Sequence, residues 1–278
     1  MGVDLIGVIN FYSHTKDGSR PRLDATPTSD YVVNYIQTPT PVLIQDVRER
    51  KTDFNLDEHG FEVHEYRGNI HNVFEDHSEE QQSYYEDARN ALKTRLGASR
   101  VIPFWHVIRF RGPSRPVDQC DQTHKNPVFF PHVDNDPPAA RAKVLEILGK
   151  EEGEKLMQKR FQIVNIWKPL GHNPIVNTPL ALCDYQSIDP NSDLHSVEVL
   201  ESKNTIALYL ISQKMKDTQK WCYVSNMKSN EMFMIKIFDS DPNVAQFGAH
   251  SAFINENASP SDIEQCSVEI RLLVFYDK

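Results

Sequence analysis

The sequence, 278 residues long, predicts an α+β fold with a double-stranded β-helix (jelly-roll) core flanked by helices. Three observations carry that prediction. Helix signals come early, while runs rich in Val, Ile, Phe, Tyr and Trp dominate from residue 101 onward. Those runs are numerous enough for two stacked sheets with a mouth left open for a site. The triplet His132-Val-Asp134 then falls near mid-chain, with His250 ahead of the last run.

The chain reads as a single domain over residues 1–278, an α/β extension of residues 1–100 packed on a core of residues 101–278. Prolines cluster at 21–41 and 113–138, which marks both stretches as loop-rich. Ser78-Glu-Glu-Gln81 is a capping box. It opens a helix with Tyr84, Ala88, Ala91 and Leu92 at helical spacing, and Gly97 is placed to end it. The first β-type run is 101–110. A second helix starts near Pro137 and Pro138 and carries Val144, Leu145 and Leu148. Further β-type runs cover 161–168, 205–212, 232–238 and 268–276. Side chains alternate in a strand, so Gln162, Val164, Ile166 and Lys168 share one face and Ile163, Asn165 and Trp167 the other. By the same rule Ser267, Glu269 and Arg271 oppose Val268, Ile270 and Leu272.

Composition narrows the function classes. A net charge of −9 argues against nucleic acid as a partner, because phosphate binding needs a positive field. No stretch approaches the ~20 apolar residues that span a bilayer. The N-terminus carries Asp4 where a secretory signal needs a basic region. Cys120, Cys183, Cys222 and Cys266 are scattered without a Cys-x-x-Cys, which points to reduced thiols in a cytoplasmic protein. Glycine-rich phosphate loops and the Gly-x-Ser-x-Gly elbow are absent from the sequence, so nucleotide-dependent chemistry and serine hydrolysis have no support.

Two imidazoles and one carboxylate form the ligand set of the facial triad, which holds Fe(II) on one side and leaves positions for substrate and oxygen. In a strand His132 and Asp134 point the same way with Val133 turned away, and a distant strand delivers His250. Arg271 is suited to hold a carboxylate co-substrate, since a guanidinium binds carboxylates bidentately. The alternative is a cross-strand ion pair with Glu269 or another acid. Asn165 and Trp167 are candidates for a substrate pocket wall. Otherwise Trp167 is core and Asn165 caps a neighbouring backbone group.

Further motifs follow in order along the chain: Val42-Leu-Ile-Gln-Asp-Val-Arg48, Phe54-Asn-Leu-Asp-Glu-His-Gly-Phe61, Gln162-Ile-Val-Asn-Ile-Trp-Lys-Pro-Leu170, Pro179-Leu-Ala-Leu-Cys-Asp184, Phe238-Asp-Ser240, His250-Ser-Ala-Phe253 and Ser267-Val-Glu-Ile-Arg271. With the triplet, they make the chain resemble, nearly end to end, the fungal hydroxylase/desaturase family that includes gibberellin desaturase-like enzymes and relatives of a cephamycin methoxylase subunit. The resemblance implies a jelly-roll enzyme of specialised metabolism using Fe(II), 2-oxoglutarate and O2, with His132, Asp134 and His250 as the catalytic metal ligands. It implies hydroxylation, desaturation or cyclisation of a small, carboxylate-bearing metabolite through iron-centred hydrogen abstraction. A small-molecule substrate is the expected partner, with no nucleic acid and no membrane, and a homodimer is left open.

Two positions depart from the family pattern. Asn-Val-Trp-Arg-Pro has Lys168 in place of arginine, which keeps charge but loses the fork. The family's arginine ahead of the last Glu-x-Arg is Gln265 here. The 2-oxoglutarate carboxylate then falls to Arg271, with Lys168 and Ser267 as supporting candidates. Two other classes stay open: a metal-free accessory subunit that positions a metabolite for a partner enzyme, and a cupin-like Zn(II) hydrolase.

Overall fold

The computed structural model describes residues 2–24, 32–112, 116, 119–121, 123–200, 205–213, 218–259 and 263–277; parts of both proline-rich stretches lie outside the described residues. The chain begins with β1 (Leu5–Thr15), β2 (Arg22–Asp24), β3 (Val32–Val33) and β4 (Tyr35–Asp46). Helix α1 (Leu56–His59), β5 (Phe61–Glu65) and the long helix α2 (Glu79–Leu96) follow. Next come β6 (Arg100–Gly112), β7 (His124–Lys125), β8 (His132–Val133) and the helices α3 (Pro137–Leu148) and α4 (Lys150–Leu156). The second half holds β9 (Phe161–Leu170), β10 (Leu180–Cys183), α5 (Pro190–Asp193), β11 (Leu194–Leu200) and β12 (Thr205–Ile211). It closes with β13 (Trp221–Tyr223), β14 (Glu231–Asp239), β15 (His250–Ala252) and β16 (Gln265–Phe275).

Among the described residues, ten strands form one sheet in the order β1-β4-β13-β10-β15-β8-β12-β11-β2-β3, and six form the other, β5-β14-β9-β16-β6-β7. Ile163, Trp167, Phe233 and Leu273 of the smaller sheet share a core with Val133, Leu180 and Leu182 of the larger. This is the expected α+β jelly roll. Helix α2 covers the smaller sheet's other face, where Tyr84, Ala88 and Leu92 join Val164, Ile166, Ile270 and Leu272. With both faces covered, β9 is buried along its whole length and shows no polar alternation.

Local signals set the helix ends. The Ser78 hydroxyl accepts the Gln81 N–H at 3.1 Å, and Gly97 ends α2 with φ 63°. The capping box closes one residue early, because the Gln81 side chain reaches the N–H of His77 rather than that of Ser78. Asp136 caps α3 through the N–H of Ala139 at 2.9 Å.

The expectation of loop across 21–41 is corrected by β4, a strand that carries Pro39 and Pro41. Among the described residues it pairs with β13 only at Ile44, Gln45 and Asp46, so both prolines sit where that edge of β4 has no described partner strand. The first hundred residues thus supply strands to both sheets: β1 and β4 to the larger, β5 to the smaller.

Candidate active site

Strand β8 lies between β15 and β12 in the larger sheet, and its His132 stands directly opposite His250 of β15. The two rings are neighbours, 4.5 Å between centroids. Val133 turns into the core, and Asp134 follows on the side of His132. One ligand atom from each of His132, Asp134 and His250 lies within 4.8 Å of the other two. Both imidazoles are oriented by the backbone. The Nδ1–H of His132 donates to the Phe130 carbonyl at 2.9 Å, and that of His250 to the Gly248 carbonyl at 3.1 Å. A carbonyl only accepts, so Nδ1 of each ring carries a proton and Nε2 is the ring nitrogen turned toward the other ligands.

The electrostatics suit a metal ligand set. Burial, and then the neighbouring His250, lowers the pKa of His132 to about 3, so the ring is neutral. Burial alone would raise the Asp134 carboxyl; the Arg271 guanidinium beside it and the Asn165 hydrogen bond outweigh burial and hold the group well below the usual carboxylate range. Arg271 donates to Oδ1 of Asp134 at 2.7 Å, and the Asn165 amide donates to Oδ2 at 2.8 Å. Asn165 and Arg271 face each other in the β9–β16 register, so one row of the smaller sheet grips the carboxylate projecting from the larger. A neutral His132, a His250 whose ring is oriented by a backbone carbonyl, and an ionised, hydrogen-bonded carboxylate fit a divalent iron.

The expected site residues separate into groups. Asn165 and Trp167 lie on the triad side of β9. Lys168 does not: it points to the α2 side, where its amine donates to the Ile70 carbonyl at 2.8 Å and sits 4.2 Å from the Tyr66 ring centroid. The alternation that turns Asn165 inward turns Lys168 outward. Arg271, the expected 2-oxoglutarate anchor, is engaged by Asp134 and by Glu269, the latter at 3.3 Å. Gln265 accepts the backbone N–H groups of Val176 and Asn177, which holds the loop leading to β10.

Ser267 leads to a residue that sequence reasoning missed. Its hydroxyl accepts Nε of Arg111 at 2.7 Å. Arg111 is 3% exposed, donates to the Thr178 carbonyl at 2.6 Å and lies 4.9 Å from the centroid of Trp167. No carboxylate pairs with it among the described residues, and burial, followed by repulsion from Arg109, pushes its pKa down to about 9. The indole N–H of Trp167 is buried and has no acceptor among the described residues. Arg109, Arg111, Val128, Trp167, Leu180 and Glu269 line a small hollow together with both histidines. A signal was present in the sequence: Arg109 and Arg111 alternate with Ile108 and Phe110, which places two cations on one face of a buried strand.

A jelly roll whose central strands hold two histidines and an aspartate around one point is a mononuclear non-haem iron site. The chain matches the family model described as "Oxidoreductase/YMDC permease-like domain" over residues 9–275. It is 30% identical to the Fe(II)/2-oxoglutarate-dependent dioxygenase nvfI of Aspergillus novofumigatus, over 87% of this chain and 85% of the relative. Identity to the hydroxylase/desaturase efuI of Hormonema carpetanum is 28%, over 97% and 94%. Among solved structures, the iron and alpha-ketoglutarate-dependent endoperoxidase NvfI superimposes with a TM-score of 0.82 at 24% identity, covering 100% of this chain and 99% of that one. The chain belongs to this oxidoreductase family, among the fungal Fe(II)/2-oxoglutarate-dependent dioxygenases and hydroxylase/desaturases. No helix among the described residues is long and apolar enough to cross a membrane.

Proposed function

We propose that the chain oxidises a small metabolite of fungal specialised metabolism by hydroxylation, desaturation or cyclisation, with Fe(II) on His132, Asp134 and His250 and with 2-oxoglutarate and O2 as co-substrates. The observation that carries this reading is the convergence of the three ligand atoms within 4.8 Å. When bound, the iron with its co-substrates supplies the oxidant that removes hydrogen from the substrate, 2-oxoglutarate leaving as succinate and CO2. The protein's own groups do the rest. The carbonyls of Phe130 and Gly248 hold the imidazoles in the metal-binding tautomer. Asn165 and Arg271 fix the two oxygens of Asp134, so the carboxylate cannot rotate away from the histidines.

The distal carboxylate of 2-oxoglutarate is assigned to Arg111, with Ser267 orienting its guanidinium and the Trp167 indole N–H beside it. Support comes from two buried donors lacking an acidic partner in the hollow that the two histidines line; an anion rich in acceptors satisfies both. Arg271 acts on Asp134 instead, and the walls around Arg111 exclude water. The reading carries a cytoplasmic location and a small molecule as partner, with neither nucleic acid nor membrane, in keeping with a net charge of −9; it is compatible with a homodimer.

The test is succinate formation from 2-oxoglutarate by the full chain. It should require Fe(II) and O2 and disappear in His132→Ala. Turnover supported by Zn(II) without O2 would instead favour a hydrolase. A folded chain that takes up no iron would favour an accessory subunit.

A further inference from the structure

Among the described residues, the inner face of the smaller sheet carries three guanidiniums, Arg109, Arg111 and Arg271. Two carboxylates face them, Glu269 of the same sheet and Asp134 of the opposite one. Fe(II) and the 2-oxoglutarate dianion cancel each other in charge. One positive charge is therefore left in the loaded site, and it falls at Arg109. Arg271 is shared by Asp134 and Glu269, and Arg111 takes the co-substrate. Arg109 donates to the Asn126 carbonyl at 2.8 Å and has no carboxylate partner among the described residues.

Position separates Arg109 from Arg111 as clearly as charge does. The two stand two residues apart on one face of β6, about 7 Å along the strand. Arg111 is buried, whereas Arg109 is half-exposed and lines the same hollow beside His132 and His250. Lys125 stands opposite Arg109 in the parallel pairing of β6 with β7. Glu269, the acid lining the hollow, is already tied to Arg271. A partly desolvated guanidinium next to a metal site, with spare donors and no carboxylate partner among the described residues, is suited to receive an anion.

We propose that Arg109 receives an anionic group of the substrate, so that this enzyme acts on carboxylate-bearing metabolites. The proposal rests on the reading of Arg111 as the 2-oxoglutarate anchor. With the acid held at Arg109, the carbon skeleton of the substrate is directed past Val128 and Leu180 toward the two histidines, and Arg109 sets which carbon is presented. It is a binding residue for specificity and takes no part in electron transfer.

The experiment uses the full chain, anaerobic, with Fe(II) and saturating 2-oxoglutarate, and follows the visible charge-transfer band of the chelate. Acetate and acetamide serve as charged and neutral probes of one size. Acetate should shift the band saturably while acetamide leaves it in place. Arg109→Gln should weaken the acetate response by at least about tenfold, as loss of one charge-assisted contact does. Arg109→Lys, which keeps the charge, should retain part of the response. The proposal is overturned if acetate acts no differently from acetamide, or if the acetate response survives in Arg109→Gln. It is also overturned if Arg109→Gln loses the 2-oxoglutarate band while Arg111→Met keeps it, because the two arginines then exchange roles. Retention of the band in Arg111→Met with a normal Arg109 dependence of acetate would contradict the anchor assignment alone.

Discussion

Asp134 is the most constrained ligand, because each of its oxygens is held by a different residue of the opposite sheet, Oδ1 by Arg271 and Oδ2 by Asn165. The two grips are unequal. Arg271 is charged and also pairs with Glu269, while Asn165 is a neutral donor buried in the site. Removing Asn165 leaves the charge of the site unchanged and frees one oxygen of the ligand. Such outer contacts typically change metal affinity by about 10–100-fold. Asn165→Leu should therefore weaken Fe(II) binding by about tenfold or more in competition with a chelator, with the fold intact by circular dichroism. An affinity within about twofold of the parent would mean that Arg271 alone orients the carboxylate.

At the scale of elements, the triad depends on short strands seated by their neighbours. His250 follows a segment in which Gly248 and Gly60 pass backbone to backbone, and a Cβ on Gly60 would overlap the carbonyl oxygen of Phe247. Gly60 also has φ +80°, where a side chain is strained. The carbonyl that orients His250 is thus located by a contact only glycine permits. Strand β9 has two buried faces with different tasks: Asn165 and Trp167 serve the site, and Lys168 is enclosed under α2. Burial pushes the Lys168 amine down to about 7. Its unfolded value is about 10.4. Between those two values the unfolded chain holds the proton and the folded chain does not, so this group makes stability rise with pH across that window. Below pH 7 the amine is charged in both states, and its burial costs the most. Lys168→Met should accordingly be most stabilised relative to the parent at or below about pH 7, with the advantage shrinking toward about pH 10 in urea denaturation. A stability difference independent of pH would show that the amine is not desolvated in the folded chain.

At the scale of the whole molecule, the parts legible in the sequence were those with a local physical signal. Ser78 and Gly97 bound α2, Pro137 opens α3, and period-two alternation placed His132 with Asp134 and Asn165 with Trp167. The first strand was not legible as such: its outward residues Ile6 and Val8 are apolar like its inward Leu5 and Ile9, so alternation gives no contrast. Strand β4 was obscured by prolines that are tolerated because part of one edge is unpaired. Arg111 escaped notice because what sets it apart, burial without a carboxylate partner among the described residues, is a property of packing. Arg271 was found on the correct face, but only the crossing of the two sheets determines that Asp134 is its partner. What the two sheets jointly create is a centre for one metal ion, with Arg111 and Trp167 lining the small hollow beside it. The most direct test is anaerobic titration of the apo chain with Fe(II) and then 2-oxoglutarate, watching for the weak visible band of the chelate at about 500 nm. The account predicts a band that appears only after both additions and is absent from His132→Ala. Iron bound stoichiometrically without any band on adding 2-oxoglutarate, or an undiminished band in His132→Ala, would contradict it.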